Sequence, residues 1–226
     1  MLQAAEIAAC ALATAAAGLR WLRVAQREHY LADAASRFAL RWWFGSPGHV
    51  AAVVAAAAGM VLCTRWPATG FATAAVVAAG PLGLGLKGRT APLAWTRRLR
   101  TLAGVWILLQ AAALAGGIVS GVGPVVAAAG ALAVPALVDL ACALTAPLER
   151  RLAGRFVRRA GARLRRVQPK VVAITGSYGK TSTKGYVAHL LGESMAVVAS
   201  PASFNNRAGL ARAVNEHLAE GTDVFV

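Results

Sequence analysis

The stretch Val171-Val172-Ala173-Ile174-Thr175-Gly176-Ser177-Tyr178-Gly179-Lys180-Thr181-Ser182 decides how the last quarter of this chain folds. Its first four residues form a short continuous apolar run, the composition of a strand buried on both faces of a parallel sheet. Gly176 and Gly179 mark a turn, and a helical pattern follows from about Lys180 to Gly192. A strand, a glycine turn and a helix in that order gather backbone N–H groups around one point at the positive end of the helix dipole, which is what a bound anion needs. The lysine after the second glycine, with a hydroxyl residue behind it, completes a phosphate loop of the form G-x-x-G-K-T. The ligand this pattern implies is ATP with Mg2+. Lys180 is the candidate catalytic residue, reaching the β- and γ-phosphates, and the Thr181 hydroxyl is the candidate Mg2+ ligand. Gly176, Ser177, Tyr178, Gly179 and Ser182 complete the ATP-binding segment. Ile174 stands where the longer G-x-x-x-x-G-K-[ST] pattern has its first glycine, so the loop is the shorter kind.

Downstream, Ala196–Ala199 reads as a second strand, Ser200–Asn206 as a loop, Arg207–Glu220 as a second helix and Asp223–Val226 as a third strand. Alternating strands and helices predict an α/β domain with a parallel sheet, here its opening portion. The run Ile174 to Lys184, together with Ser203-Phe204-Asn205-Asn206-Arg207-Ala208-Gly209-Leu210, resembles the Mur ligase family, the enzymes that build peptidoglycan stem peptides, and most of all the branch that adds D-alanyl-D-alanine. The resemblance covers about Lys170 to Val226. It implies a central ATP-binding domain from residue 170 and an ATP-dependent amide-forming ligase, in which the γ-phosphate passes to a substrate carboxylate and an amine attacks the acyl-phosphate. It further implies a UDP-linked or lipid-linked muramoyl peptide as partner, with Asn205 and Asn206 lining the nucleotide and substrate cleft. On chemistry alone the same pair reads equally as a turn capping the helix from Arg207. The family's Mg2+-holding glutamate, modified lysine, histidine and C-terminal domain fall past Val226, so these 226 residues are expected to be a fragment or a truncated product, inactive as a ligase alone.

Residues 1–147 have a different composition. Hydrophobic residues make up 58% of the chain, with most of the excess before residue 148. Five spans are expected, at about 1–19, 48–64, 69–86, 101–119 and 123–146, each near the ~20 residues that cross a bilayer. The fold class is thus an all-α transmembrane bundle followed by an incomplete α/β phosphate-loop domain. Basic residues cluster at 20–47, 87–100 and 150–170, and those blocks hold 19 of the 24 lysines and arginines. By the positive-inside rule the N-terminus lies outside and the C-terminal domain in the cytoplasm, at the inner membrane. The first segment carries Gln3 and Glu6 and could instead lie in the interface. Asp139 is the intramembrane carboxylate that could mark a pathway, or simply reach water near a span end.

Residues 148–169 read as a cationic amphipathic linker, with Leu148, Leu152, Phe156 and Leu164 among the basic residues, lying along the anionic inner leaflet. No aromatic platform accompanies this charge, which excludes nucleic acid as a partner. Trp21, Trp42 and Trp43 sit where interfacial aromatics belong, in a segment whose charges otherwise pair with one another. Cys10, Cys63 and Cys142 have no pairing spacing, and His29, His49, His189 and His217 no ligand spacing, so neither a disulfide framework nor a zinc site is expected. Two other functions share the loop: a ligase of the poly-γ-glutamate synthase kind, and a transporter or sensor whose nucleotide domain drives the spans.

Overall fold

The computed structural model describes residues 1–81, 84, 93–201 and 207–226. The chain divides into two compact units, Met1–Pro147 and Leu148–Val226.

The first unit is helical. Helix α1 spans Leu2–Arg27, α2 Ala34–Trp43, α3 Pro47–Leu62, α4 Gly70–Ala79, α5 Arg97–Val119 and α6 Gly123–Leu132; α7 covers Val134–Val167. Only α1 and α5, among the described residues, are by themselves long and apolar enough to cross a membrane. Their 26 and 23 residues give about 39 and 35 Å against a hydrocarbon core of about 30 Å. The expected span at 48–64 corresponds to one helix, α3, but a short one, and those at 69–86 and 123–146 are not single long helices. Helix α3 has 16 residues, about 24 Å, and meets α2 at 109°. The segment from 69 is a 3₁₀ turn at Pro67–Thr69 followed by the 10-residue α4, and most of its expected far end lies outside the described residues. The last segment breaks at Ala133, where α6 and α7 meet at 75°. Pro135 explains the break: it has no N–H to give and its ring clashes with the carbonyl four residues back, at Ala131. With each bent pair taken as one span, the unit has up to four.

Alanine and glycine set the packing. Ala13, Ala17, Ala74, Ala128 and Ala131 are buried, and a Cβ at Gly18 would run into the Trp106 ring of α5. Such small contacts let helices approach where no hydrophobic force drives them together. Glu6 is completely buried, its carboxyl against Gly70 at the start of α4, so α1 packs this polar group against the other helices and does not expose it. Trp21 is also a core residue, 4% exposed and edge-on to Phe38 at 6.0 Å, not an interfacial anchor. Asp139 is 8% exposed and has a structural role. It accepts the backbone N–H groups of Ala35 and Ser36 at 3.1 and 2.8 Å, closing the N-terminus of α2, whose own N-cap Asp33 provides no side-chain bond.

In the second unit, β1 is Lys170–Val171, β2 Val197–Val198 and β3 Val224–Phe225, with α8 at Lys180–Gly192 and α9 at Arg207–His217. The sheet is parallel, in the order β1-β3-β2, and Val224 pairs with both Lys170 and Val197. The central strand is the buried one: Val224 and Phe225 are 2% and 6% exposed, whereas Val171 is 60% exposed. The apolar run from Val171 is therefore an edge strand with one neighbour, not a strand covered on both faces. The end of α7 is built into this unit. Val157, Ala160 and Leu164 pack with Ala211, Val214 and Phe225, and Asn215 Nδ2 donates to the Phe156 carbonyl at 3.1 Å while Arg163 donates to the Asn215 carbonyl at 2.9 Å. That divides the apolar face of the basic linker: α9 covers its second half, and only Leu148, Leu152 and Phe156 remain exposed. Pro147 does not end the helix before it.

Candidate functional site

The loop from Val172 to Gly179 leaves the end of β1 and delivers the chain to the first turn of α8. Gly179 is the N-cap of α8 and has φ +76°, a left-handed conformation that costs any residue with a Cβ about 1–2 kcal/mol. The choice of glycine has a second effect: no side chain caps the helix. The first helical hydrogen bond to the cap is Thr183 N–H to Gly179 O at 2.9 Å, so the amides of Lys180, Thr181 and Ser182 have no acceptor inside the helix. No acidic residue occupies the first turn. Lys180 sits there instead, at the helix end where a positive charge is least welcome.

Lys180 folds back so that Nζ donates to the Gly176 carbonyl. One turn on, at the (i, i+4) position that shares its face, Lys184 donates from Nζ to the Ser200 carbonyl at 2.5 Å. Gly176, Lys180, Thr181, Lys184, Ser200 and Arg207 all line one groove of about 700 Å³, whose opposite wall is apolar and built from Leu164, Leu210 and Val214. Ser177, Tyr178, Gly179 and Ser182 belong to the loop but do not line this groove, and Tyr178 is 95% exposed. Asn205 and Asn206 lie outside the described residues.

These residues fit a polyphosphate. They provide helix amides without an acceptor in the helix, one lysine in the first turn of α8, a second on the next turn and an arginine at the first position of α9, and no lining residue is acidic. A metal would have less to hold it. Thr181 offers one hydroxyl, and among the described residues no group of three His, Cys, Asp or Glu side chains could bind an ion. Mg2+ suits such a place, because it keeps several waters and binds largely through phosphate oxygens. Lys184 and Arg207 carry the family resemblance but are not candidate site residues in the sequence; the four-residue spacing from Lys180 is the signal that could have found the first. Ser200, placed by the end of β2, has no comparable sequence signal.

Residues 174–226 match the Mur ligase middle domain. No curated protein and no solved structure matches the chain.

Proposed function

We propose that this chain is the membrane-anchored, nucleotide-binding part of an ATP-dependent amide-forming ligase of the Mur family, acting in the synthesis of peptidoglycan precursors. The observation that carries the reading is the uncapped start of α8, with Lys180 and Thr181 lining one groove, inside a segment that matches the Mur ligase middle domain. ATP supplies the phosphoryl group that activates a carboxylate, and Mg2+ neutralises its charge. The residues of this chain position it. The amides of Lys180, Thr181 and Ser182 would take phosphate oxygens, the Lys180 ammonium would leave the Gly176 carbonyl for phosphate, and the Thr181 hydroxyl would help hold the metal, which would neutralise phosphate charge.

The acyl partner is a UDP-linked or lipid-linked muramoyl peptide, by the family match. The apolar helices α1 and α5 hold the protein at the inner membrane, and Arg150, Arg151 and Arg155, beside exposed Leu148, Leu152 and Phe156, meet the anionic lipid surface. Each basic residue near such a surface adds about 1 kcal/mol of attraction. The basic blocks favour a cytoplasmic phosphate loop. The test uses membranes carrying the full-length protein supplied with ATP, a UDP-linked muramoyl peptide and D-alanyl-D-alanine. ADP release that depends on both the peptide and the amine supports the ligase reading. ADP release with neither supports the transporter reading instead.

A further inference from the structure

A second groove, of about 460 Å³, opens on the Met1–Pro147 unit between α1, α5 and α6. Its walls are hydrocarbon: Ala11, Ala15 and Ala16 from α1 face Ile107 and Leu114 from α5. The cause is steric. The α1 alanines are too short to reach α5, while Trp106 is clamped at the groove's edge against Gly18, where no Cβ fits. Ala11, Ala15, Ala16, Ile107 and Ala111 are exposed, so the trough is open.

Two further features point to what fills it. Trp106 is 6% exposed, and its indole N–H is buried with no acceptor among the described residues. A buried donor left without an acceptor costs about 1–3 kcal/mol. Gln110, the other large polar group of the groove, is already used, donating to the Gly130 carbonyl at 3.1 Å. The second feature is charge. Arg100 lies seven residues before Ile107 on the same face of α5, about 10 Å towards the basic end of the helix, and is exposed. Arg97 and Arg98 stand beside it, and α5 has no acidic residue. An apolar trough that ends under a cationic mouth matches a lipid with hydrocarbon below and a net negative head above.

We propose that this groove binds one anionic phospholipid. An acyl chain lies along Ala11, Ala15 and Ile107, an ester oxygen lies beside Trp106, the groove-lining residue whose N–H lacks an acceptor, and the phosphate rests on Arg100. The proposal rests on the reading of α1 and α5 as membrane spans. A bound lipid of this kind would fix the spacing of α1 and α5, the two helices whose mutual contact the alanines leave incomplete.

The experiment is native mass spectrometry of the full chain, purified in mild detergent from nanodiscs of equal phosphatidylglycerol and phosphatidylcholine. The expected result is one retained phosphatidylglycerol per chain. Ala15→Leu, which fills the trough, should lower retention about tenfold, and Arg100→Gln should remove the preference for the anionic lipid while lipid is still held. Trp106→Phe, which keeps the ring and removes the N–H, should weaken retention less than Ala15→Leu. Equal retention by wild type and Ala15→Leu overturns the proposal, as does equal retention of the two lipids by wild type. A wild-type dimer that Ala15→Leu converts to monomer also overturns it, since a second copy would then be the occupant. Carbonate extraction of cell membranes carrying the full chain separates the two possible failures. A chain that washes off refutes the membrane reading, while one that stays in the membrane with no preference for lipid refutes only the groove.

Discussion

The starts of α2, α3 and α5 and the start of α8 are built to opposite ends. In the helical unit, Asp139 closes α2, Ser46 accepts the His49 N–H at 3.3 Å to close α3, and Thr96 accepts the Leu99 N–H at 3.2 Å to close α5. Each spends an oxygen on amides that the helix itself cannot satisfy. Helix α8 begins on a glycine and has a lysine in its first turn. The same backbone chemistry is closed by the protein's own side chains at these three helices and left without a side-chain cap at α8, as it also is at α4 and α6, whose first turns carry no cation. A helix end that is left open, given the wrong charge for its dipole and set in a groove with two more cations is organised for a ligand that arrives with negative charge.

The contrast yields predictions that run from large to small. Replacing Lys180 by alanine removes a charged partner of the phosphates worth about 1.5–3 kcal/mol, so ATP affinity measured by titration calorimetry should fall on the order of 10- to 100-fold. The unfolding transition of the variant should stay where it was, since Lys180 supports the fold only through one loop carbonyl. In the helical unit the reverse holds. Asp139→Ala strands two amides at the start of α2 and should cost about 2–3 kcal/mol in denaturant unfolding, with ATP affinity unchanged. Gly179→Ala places a Cβ at φ +76° and should cost about 1–2 kcal/mol of stability while also weakening nucleotide binding, because it distorts the loop. Thr96→Ala should cost about 1 kcal/mol. Arg166→Ala, which breaks an exposed pair with Glu220 at 3.4 Å, should change stability by less than about 0.5 kcal/mol. If Asp139→Ala weakened ATP binding as much as Lys180→Ala, the contrast between closed and open helix ends would have no basis.

Much of the second unit could be read from the sequence because its signals are local. Glycine, proline and the change of period place α8 at Lys180–Gly192, and the strands at Val197–Val198 and Val224–Phe225 fall inside the expected segments. The error at β1 was one of order: an apolar run says that a strand is buried but not which strand is central, and here Phe225 and Val224 occupy the middle. The first unit was less legible. Hydropathy registers that a segment is apolar without registering where the helix within it stops, and the stops at Ala133 and Leu62 depend on single residues such as Pro135 and on turns. The partners of polar residues in the spans were illegible for a related reason. Asp139 finds its partners about a hundred positions away, at Ala35 and Ser36, and Glu6 lies against Gly70. No window along the chain holds both members of such a pair. Leu164 and Ala160 likewise belong to the core of the second unit only because α9 folds onto them.

The most direct test of the open helix end is amide hydrogen exchange on the full chain, with and without ATP and Mg2+. Phosphate bound at the start of α8 predicts slower exchange confined to the loop and first turn, at Gly176 to Ser182, with the start of α2 under Asp139 unchanged. Exchange at Gly176 to Ser182 that is the same with and without ATP, or protection that appears only elsewhere in the chain, would contradict the account.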